Sequence, residues 1–183
     1  MMRPLFAVLL ITLAGSGLAQ GWEKPARPLR VVPGVDLQRY MGSWYEIARL
    51  PNRFQKECAG EVIATYTLRD DGRIDVLNQC RKHDGGIKRA QGMARPADAS
   101  GLDAKLEVRF APSFLSFLPF VWGNYWVLDL APDYRYAVVG EPDRKYLWVL
   151  SRTPQMDEKT YEEIVARMAN LGFDTESLTR TRQ

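Results

Sequence analysis

Between residues 43 and 152 the chain repeats one pattern, a short run of alternating apolar and polar residues closed by turn-forming residues. Eight such runs can be marked, at 43–50, 61–69, 73–80, 87–94, 104–110, 124–130, 134–140 and 145–152. The breaks between them include Asp70-Asp71-Gly72, Asp84-Gly85-Gly86, Ala131-Pro132-Asp133 and Glu141-Pro142-Asp143-Arg144. Connections this short join antiparallel neighbours. No helical stretch alternates with the strands, which excludes a parallel-sheet nucleotide fold. An even number of up-and-down strands predicts an all-β, eight-stranded closed barrel with room for one small ligand. A filled sandwich, the alternative, would use longer crossovers.

One hairpin fixes its own register. A three-residue loop with Gly72 in the left-handed position pairs Arg69 with Arg73. Continuing that ladder sets Leu68 against Ile74, Tyr66 against Val76 and Ala64 against Asn78. The apolar members then share one face, as a buried surface requires.

The ends of the chain read differently. Arg3, the apolar run Leu5 to Ala14 and the small residues Gly17-Leu18-Ala19 predict a cleaved export signal over residues 1–19. Residues 20–34, with Pro25, Pro28 and Pro33, form an extended lead-in, and 35–183 form the barrel with its helix. Removing 1–19 takes away one cation, Arg3, and the formal charge of +3 becomes +2. Such a balance gives no electrostatic case for nucleic acid. Asp157 begins a helix over 157–171, with Tyr161, Ile164, Val165, Met168 and Leu171 on one stripe and Gly172 closing it. At the other end, Asp36 caps a short helical turn that Gly42 stops.

Cys58 and Cys80 are the two cysteines of a chain with an export signal, and a disulfide between them is expected. Two free thiols are the alternative. On a straight strand the hairpin register would hold them about 13 Å apart, so the segment before Gly60 must fold back. His83 is the single histidine and sits in a polar turn; no catalytic or metal site is expected, and no cofactor. The interior face predicts a ligand cavity lined by Tyr66, Val76, Asn78, Val108, Phe110, Trp122, Tyr125 and Trp148. Glu46 shares the Trp44 face and points inward with arginine or hydroxyl partners, unless a bulge turns it out. The stretch Ala111 to Gly123 is unusually aromatic for a loop. It is a lid, a membrane-touching tip or a dimer contact, or else core with strands running through it.

Gly42-Ser43-Trp44-Tyr45 resembles the first signature of the lipocalins, Asp133-Tyr134-Arg135-Tyr136 the second, and Ser151-Arg152 the third. Longer matches, Trp44 to Arg49, Ala64-Thr65-Tyr66, Leu68 to Gly72 and Tyr146 to Pro154, are similar to the bacterial outer-membrane lipocalins and their apolipoprotein-D-like relatives. The resemblance implies a barrel floor of Gly42, Trp44 and Arg152, with the arginine lying across the tryptophan. It also implies binding and carriage of a single-tailed lipid, a fatty acid or lysophospholipid, for membrane upkeep. Gln20 stands where the anchored bacterial members carry a lipobox cysteine, so free periplasmic residence is expected. An enzyme acting on a lipophilic substrate on the same scaffold, or a membrane-contact protein using residues 112–122, is the alternative.

Overall fold

The computed structural model describes residues 28–97 and 103–183; the expected export segment and the lead-in as far as residue 27 lie outside them. Asp36 opens a single helical turn, α1 (Leu37–Tyr40), its carboxylate accepting the Arg39 N–H at 3.2 Å. Gly42, at φ +91°, then swings the chain into the first strand, a backbone angle that a side chain would strain. The strands are β1 (Gly42–Arg49), β2 (Cys58–Leu68), β3 (Ile74–Lys82), β4 (Ile87–Pro96), β5 (Lys105–Arg109), β6 (Gly123–Leu130), β7 (Tyr136–Gly140) and β8 (Leu147–Ser151). After α2 (Glu158–Asn170) comes a two-residue strand, β9 (Thr179–Arg180).

Each strand from β1 to β8 pairs antiparallel with the next, and β8 pairs back onto β1, so the ring closes. Closure leaves no long free edge to template aggregation. The β2–β3 hairpin has the register expected, Leu68 on Ile74, Tyr66 on Val76 and Ala64 on Asn78, with Gly72 at φ +78°. The strand expected at 134–140 starts at Tyr136, because Tyr134 takes a positive φ of 63° inside the turn. Likewise Arg144, at φ 62°, delays β8 until Leu147.

Two apolar clusters use opposite faces of the same strands. On β6, β7 and β8, Val127, Ala137, Val139 and Leu150 point into the barrel. Leu128, Val138, Leu147 and Val149 point out, against Ile164, Met168 and Phe173. This double coverage explains the unbroken apolar runs of β7 and β8 in a sheet whose other strands alternate. Asp157 caps α2 through the Thr160 N–H at 2.9 Å. Arg167 ties the helix to the wall, 2.7 Å from Asp129 and 3.1 Å from the Tyr136 hydroxyl. Full burial of Ile164 and Met168 contributes about 2–3 kcal/mol each.

The closure has a seam. β1 and β2 pair only from Gly42 to Tyr45, and above that point they part. Residues 179–183 fill the gap: the Thr181 N–H donates to the Ile47 carbonyl and the Glu61 N–H to the Arg182 carbonyl. The Gln183 amide spans both strands, donating to Glu46 O at 2.6 Å and Val62 O at 3.1 Å. Gly60 lets this tail lie close, since a Cβ there would sit 2.5 Å from Arg182 O.

Candidate functional site: a cavity closed at one end

Trp44 lies at the closed end, fully buried, its indole N–H donating to Tyr40 O at 2.8 Å. From outside, the Arg152 guanidinium covers the ring at 3.8 Å from its centroid and donates to Ser43 O and Arg39 O. Gly42 sits beneath that guanidinium, where a Cβ would lie 3.5 Å from Arg152 Nη1. Tryptophan, arginine and two backbone carbonyls thus seal the base.

Above the floor the barrel encloses a cavity of about 810 Å³. Tyr66, Val76, Asn78, Val108, Phe110, Trp122, Tyr125 and Trp148 all border it. Asn78 stands between Ala64 and Ala90 in the β2–β3–β4 register. Those small neighbours leave space beside the amide, whose Oδ1 is buried without a hydrogen-bond partner. Phe110 lies just past the end of β5, half-exposed at the mouth.

Three phenols meet deep in the cavity. The Tyr125 hydroxyl is 2.8 Å from that of Tyr40 and 3.0 Å from that of Tyr66. Tyr40 belongs to α1 and was not among the residues expected to line the cavity. No spacing in the sequence marks it, because α1 ends at Tyr40 and Trp44 already belongs to β1. Burial holds all three in the neutral form, with Tyr66 pushed up to about 12 and Tyr40 and Tyr125 also raised well above the usual phenol range. An unfolded chain ionises these groups near 10, so the native state binds more protons above that pH. Their contribution to stability is intact below about pH 10 and is lost progressively as pH rises above it. Alkaline titration followed by phenolate absorbance should show these three tyrosines ionising only as the barrel unfolds.

Towards the mouth the wall becomes polar. Glu46 points inward, 3% exposed, and the β1 bulge falls just after it, between Glu46 and Ala48. Its carboxylate accepts from Arg49 at 2.6 Å, Gln55 at 2.5 Å and Thr181 at 2.5 Å. These partners satisfy a charge that would otherwise be costly to bury. Gln55 accepts in turn from the Trp148 indole at 2.9 Å and from Asn52 at 2.7 Å. The network therefore anchors the 50–57 loop to the cavity wall. Burial, reinforced by Asp143, raises the carboxyl of Glu141 at the same rim.

Cys58 and Cys80 are joined in a disulfide with Cα atoms 5.6 Å apart. They do not meet through a fold-back before Gly60. Instead β2 runs on to Cys58 and two bulges each slip the pairing by one residue, so that Cys58 lies opposite Lys82. Glu61, at φ 48°, sits in that bulged stretch. His83 is exposed in its turn, as expected.

The aromatic segment is a loop at the mouth, so its reading as core strand is overturned. β5 stops at Arg109 and β6 starts at Gly123, with two single 3-10 turns, Ser113–Leu115 and Pro119–Val121, between them. Trp122 holds the root: its N–H donates to Ser116 O, and Arg95 and Arg109 lie 4.0 and 5.3 Å from its ring centroid.

Comparison with known proteins places this geometry. A family model described as a lipocalin-like domain matches residues 35–183. The chain is 46% identical to temperature-induced lipocalin-1 of Arabidopsis thaliana over 158 residues, 86% of this chain and 84% of that one. It is 39% identical to the outer membrane lipoprotein Blc of Escherichia coli over 183 residues, 100% and 98% of the two chains. With mouse apolipoprotein D it shares 32% over 186 residues, 97% and 90%. Among solved structures, insecticyanin of the tobacco hornworm Manduca sexta superposes with a TM-score of 0.64 at 24% identity, covering 85% of this chain and 84% of that one. Apocrustacyanin C2 does so at 0.63 and 18%, covering 81% and 79%.

Proposed function

Because this chain belongs to the lipocalin family, whose members bind small hydrophobic ligands, we propose that it binds and carries a single-tailed lipid in the cell envelope for membrane maintenance. A fatty acid or a lysophospholipid fits the cavity chemistry. The observation that carries this reading is a cavity of about 810 Å³ with an apolar wall, closed at the floor. That volume lies in the range of small-molecule sites. The wall, with Val76, Leu106, Val108 and Leu150 among its members, takes the tail. Each Å² of apolar surface it removes from water contributes about 25 cal/mol. Gln55, Lys88 and Arg53 at the mouth suit a polar or anionic head. The likeness to an outer membrane lipoprotein supports an envelope location; residence there free of an anchor is part of the same proposal.

Binding rather than catalysis is the favoured reading, because both cysteine sulfurs are held in the disulfide and neither is a free thiol nucleophile. Native mass spectrometry of the purified protein, with oleate and a lysophosphatidylethanolamine as added probes, tests it. One lipid per chain is the expected result. Ala90→Trp places an indole beside Asn78 in the middle of the cavity. It should weaken binding of either probe by roughly a hundredfold, filling space that is otherwise empty. Wild-type affinity in that variant would place the lipid somewhere other than the cavity.

A further inference from the structure

All six exposed large apolar side chains among the described residues belong to one end of the barrel. They are Phe54, Ile87, Phe110, Phe114, Phe117 and Phe120, and every one lies in or beside a mouth connection. Phe114, Phe117 and Phe120 are 72%, 77% and 79% exposed and recur every third residue across the two 3-10 turns. Their loop, 110–122, carries no charged residue. Charge is uneven in the matching sense. The mouth segments 50–57, 81–89, 110–123 and 140–146 hold eight Arg and Lys against four Asp and Glu, whereas the whole chain holds 25 against 22. The excess positive charge of the molecule is therefore concentrated around the phenylalanines.

We propose that the mouth rim docks onto an anionic lipid bilayer, with Phe114 and Phe117 entering the acyl boundary and the surrounding Lys and Arg meeting the head groups. Apolar wedges ringed by cations are the chemistry of interfacial anchoring. The phenylalanines stand out singly on successive turns, so they suit a fluid surface better than a shaped protein pocket. A second copy seated on this rim would cover the cavity mouth, whereas a bilayer there lets a lipid pass between membrane and cavity without crossing water. The docking goes beyond the proposed ligand binding and is tested separately from it.

The experiment is co-sedimentation of the purified protein with large vesicles of phosphatidylcholine, alone or mixed with phosphatidylglycerol. Binding should be at least about tenfold stronger to the anionic mixture. It should fall when salt is raised from about 0.1 M to about 1 M, which shortens the screening length from about 10 Å to about 3 Å. The double variant Phe114→Ser/Phe117→Ser, altered at two exposed residues that do not border the cavity, should lose about tenfold or more in vesicle binding. Its affinity for oleate should not change. The cavity-filled Ala90→Trp protein should still bind vesicles. Three results would overturn the proposal: no vesicle binding by the wild type, equal binding by the double variant, or loss of binding in Ala90→Trp, which would mean that vesicles are held through extracted lipid. A wild-type dimer that the double variant makes monomeric, with vesicle binding unaltered, would assign the rim to self-association instead.

Discussion

Trp44→Ala should lower the unfolding free energy by about 4 kcal/mol, the largest single-site loss expected in this protein. The ring is wholly buried in the barrel core, against Tyr40 at 5.0 Å between centroids. Its removal leaves a void that the closed ring of strands cannot collapse. The Tyr40 carbonyl also loses its donor, and the Arg152 guanidinium loses the π face beneath it. Arg152→Ala should cost less, about 2 kcal/mol, because that side chain is partly solvated and its losses are two hydrogen bonds to carbonyls and one cation–π contact. Urea unfolding measures both, read as a shift in midpoint at unchanged slope. A Trp44→Ala protein within about 1 kcal/mol of wild type would remove the floor from the list of elements that hold the barrel.

The second large effect acts through the unfolded chain. Cys58→Ser/Cys80→Ser opens a loop spanning a sequence separation of 22 residues. Loop-closure entropy at that length gives about 3 kcal/mol. The denatured state becomes more expanded, so the urea slope should rise as the midpoint falls, a signature that Trp44→Ala should not show. The local consequence concerns the ligand. Cys58 follows directly on the 50–57 loop, which carries Gln55 and Phe54 to the mouth. Freeing that end should therefore also speed lipid release. If the serine variant matched the wild type in midpoint and slope, the bond would contribute nothing to the fold.

What the residue pattern revealed depended on how local the cause was. The β2–β3 register was legible because Asp70-Asp71-Gly72 sets it within a few residues of the pairing it governs. The helix was legible because Asp157, the apolar stripe and Gly172 are contiguous. The inward face of β2 and β3, with Tyr66, Val76 and Asn78, was legible from period-two alternation, which assigns faces without knowledge of the partner strand, whereas Trp122 lies in a loop that alternation does not reach. The bulges of β2 were not, since nothing in Gly60-Glu61-Val62 states how many residues the partner strand will oppose. Neither was the hydroxyl cluster, which joins α1, β2 and β6 across separations of 59 and 85 residues. For Glu46 the kind of partner could be read, an arginine or a hydroxyl, as Arg49 and Thr181 are, but neither the choice between inward and outward nor the part of Gln55, because Gln55 and Thr181 reach it from a loop and from the tail. β9 left no trace at all: two residues, Thr179 and Arg180, have no periodicity to detect.

The seam between β1 and β2 has a bearing on how the molecule is made. A chain arrested on the ribosome before Thr179 holds every strand of the barrel wall, yet β1 and β2 meet along only four residues. Its side would stay slit, with the Ile47 and Val62 carbonyls unserved. Closing the wall thus waits on residues that are made after all eight strands, and the chain must remain unaggregated until they dock. The same contact dictates where a purification tag belongs. A fusion joined after Gln183 would pull on the amide that stitches Glu46 to Val62.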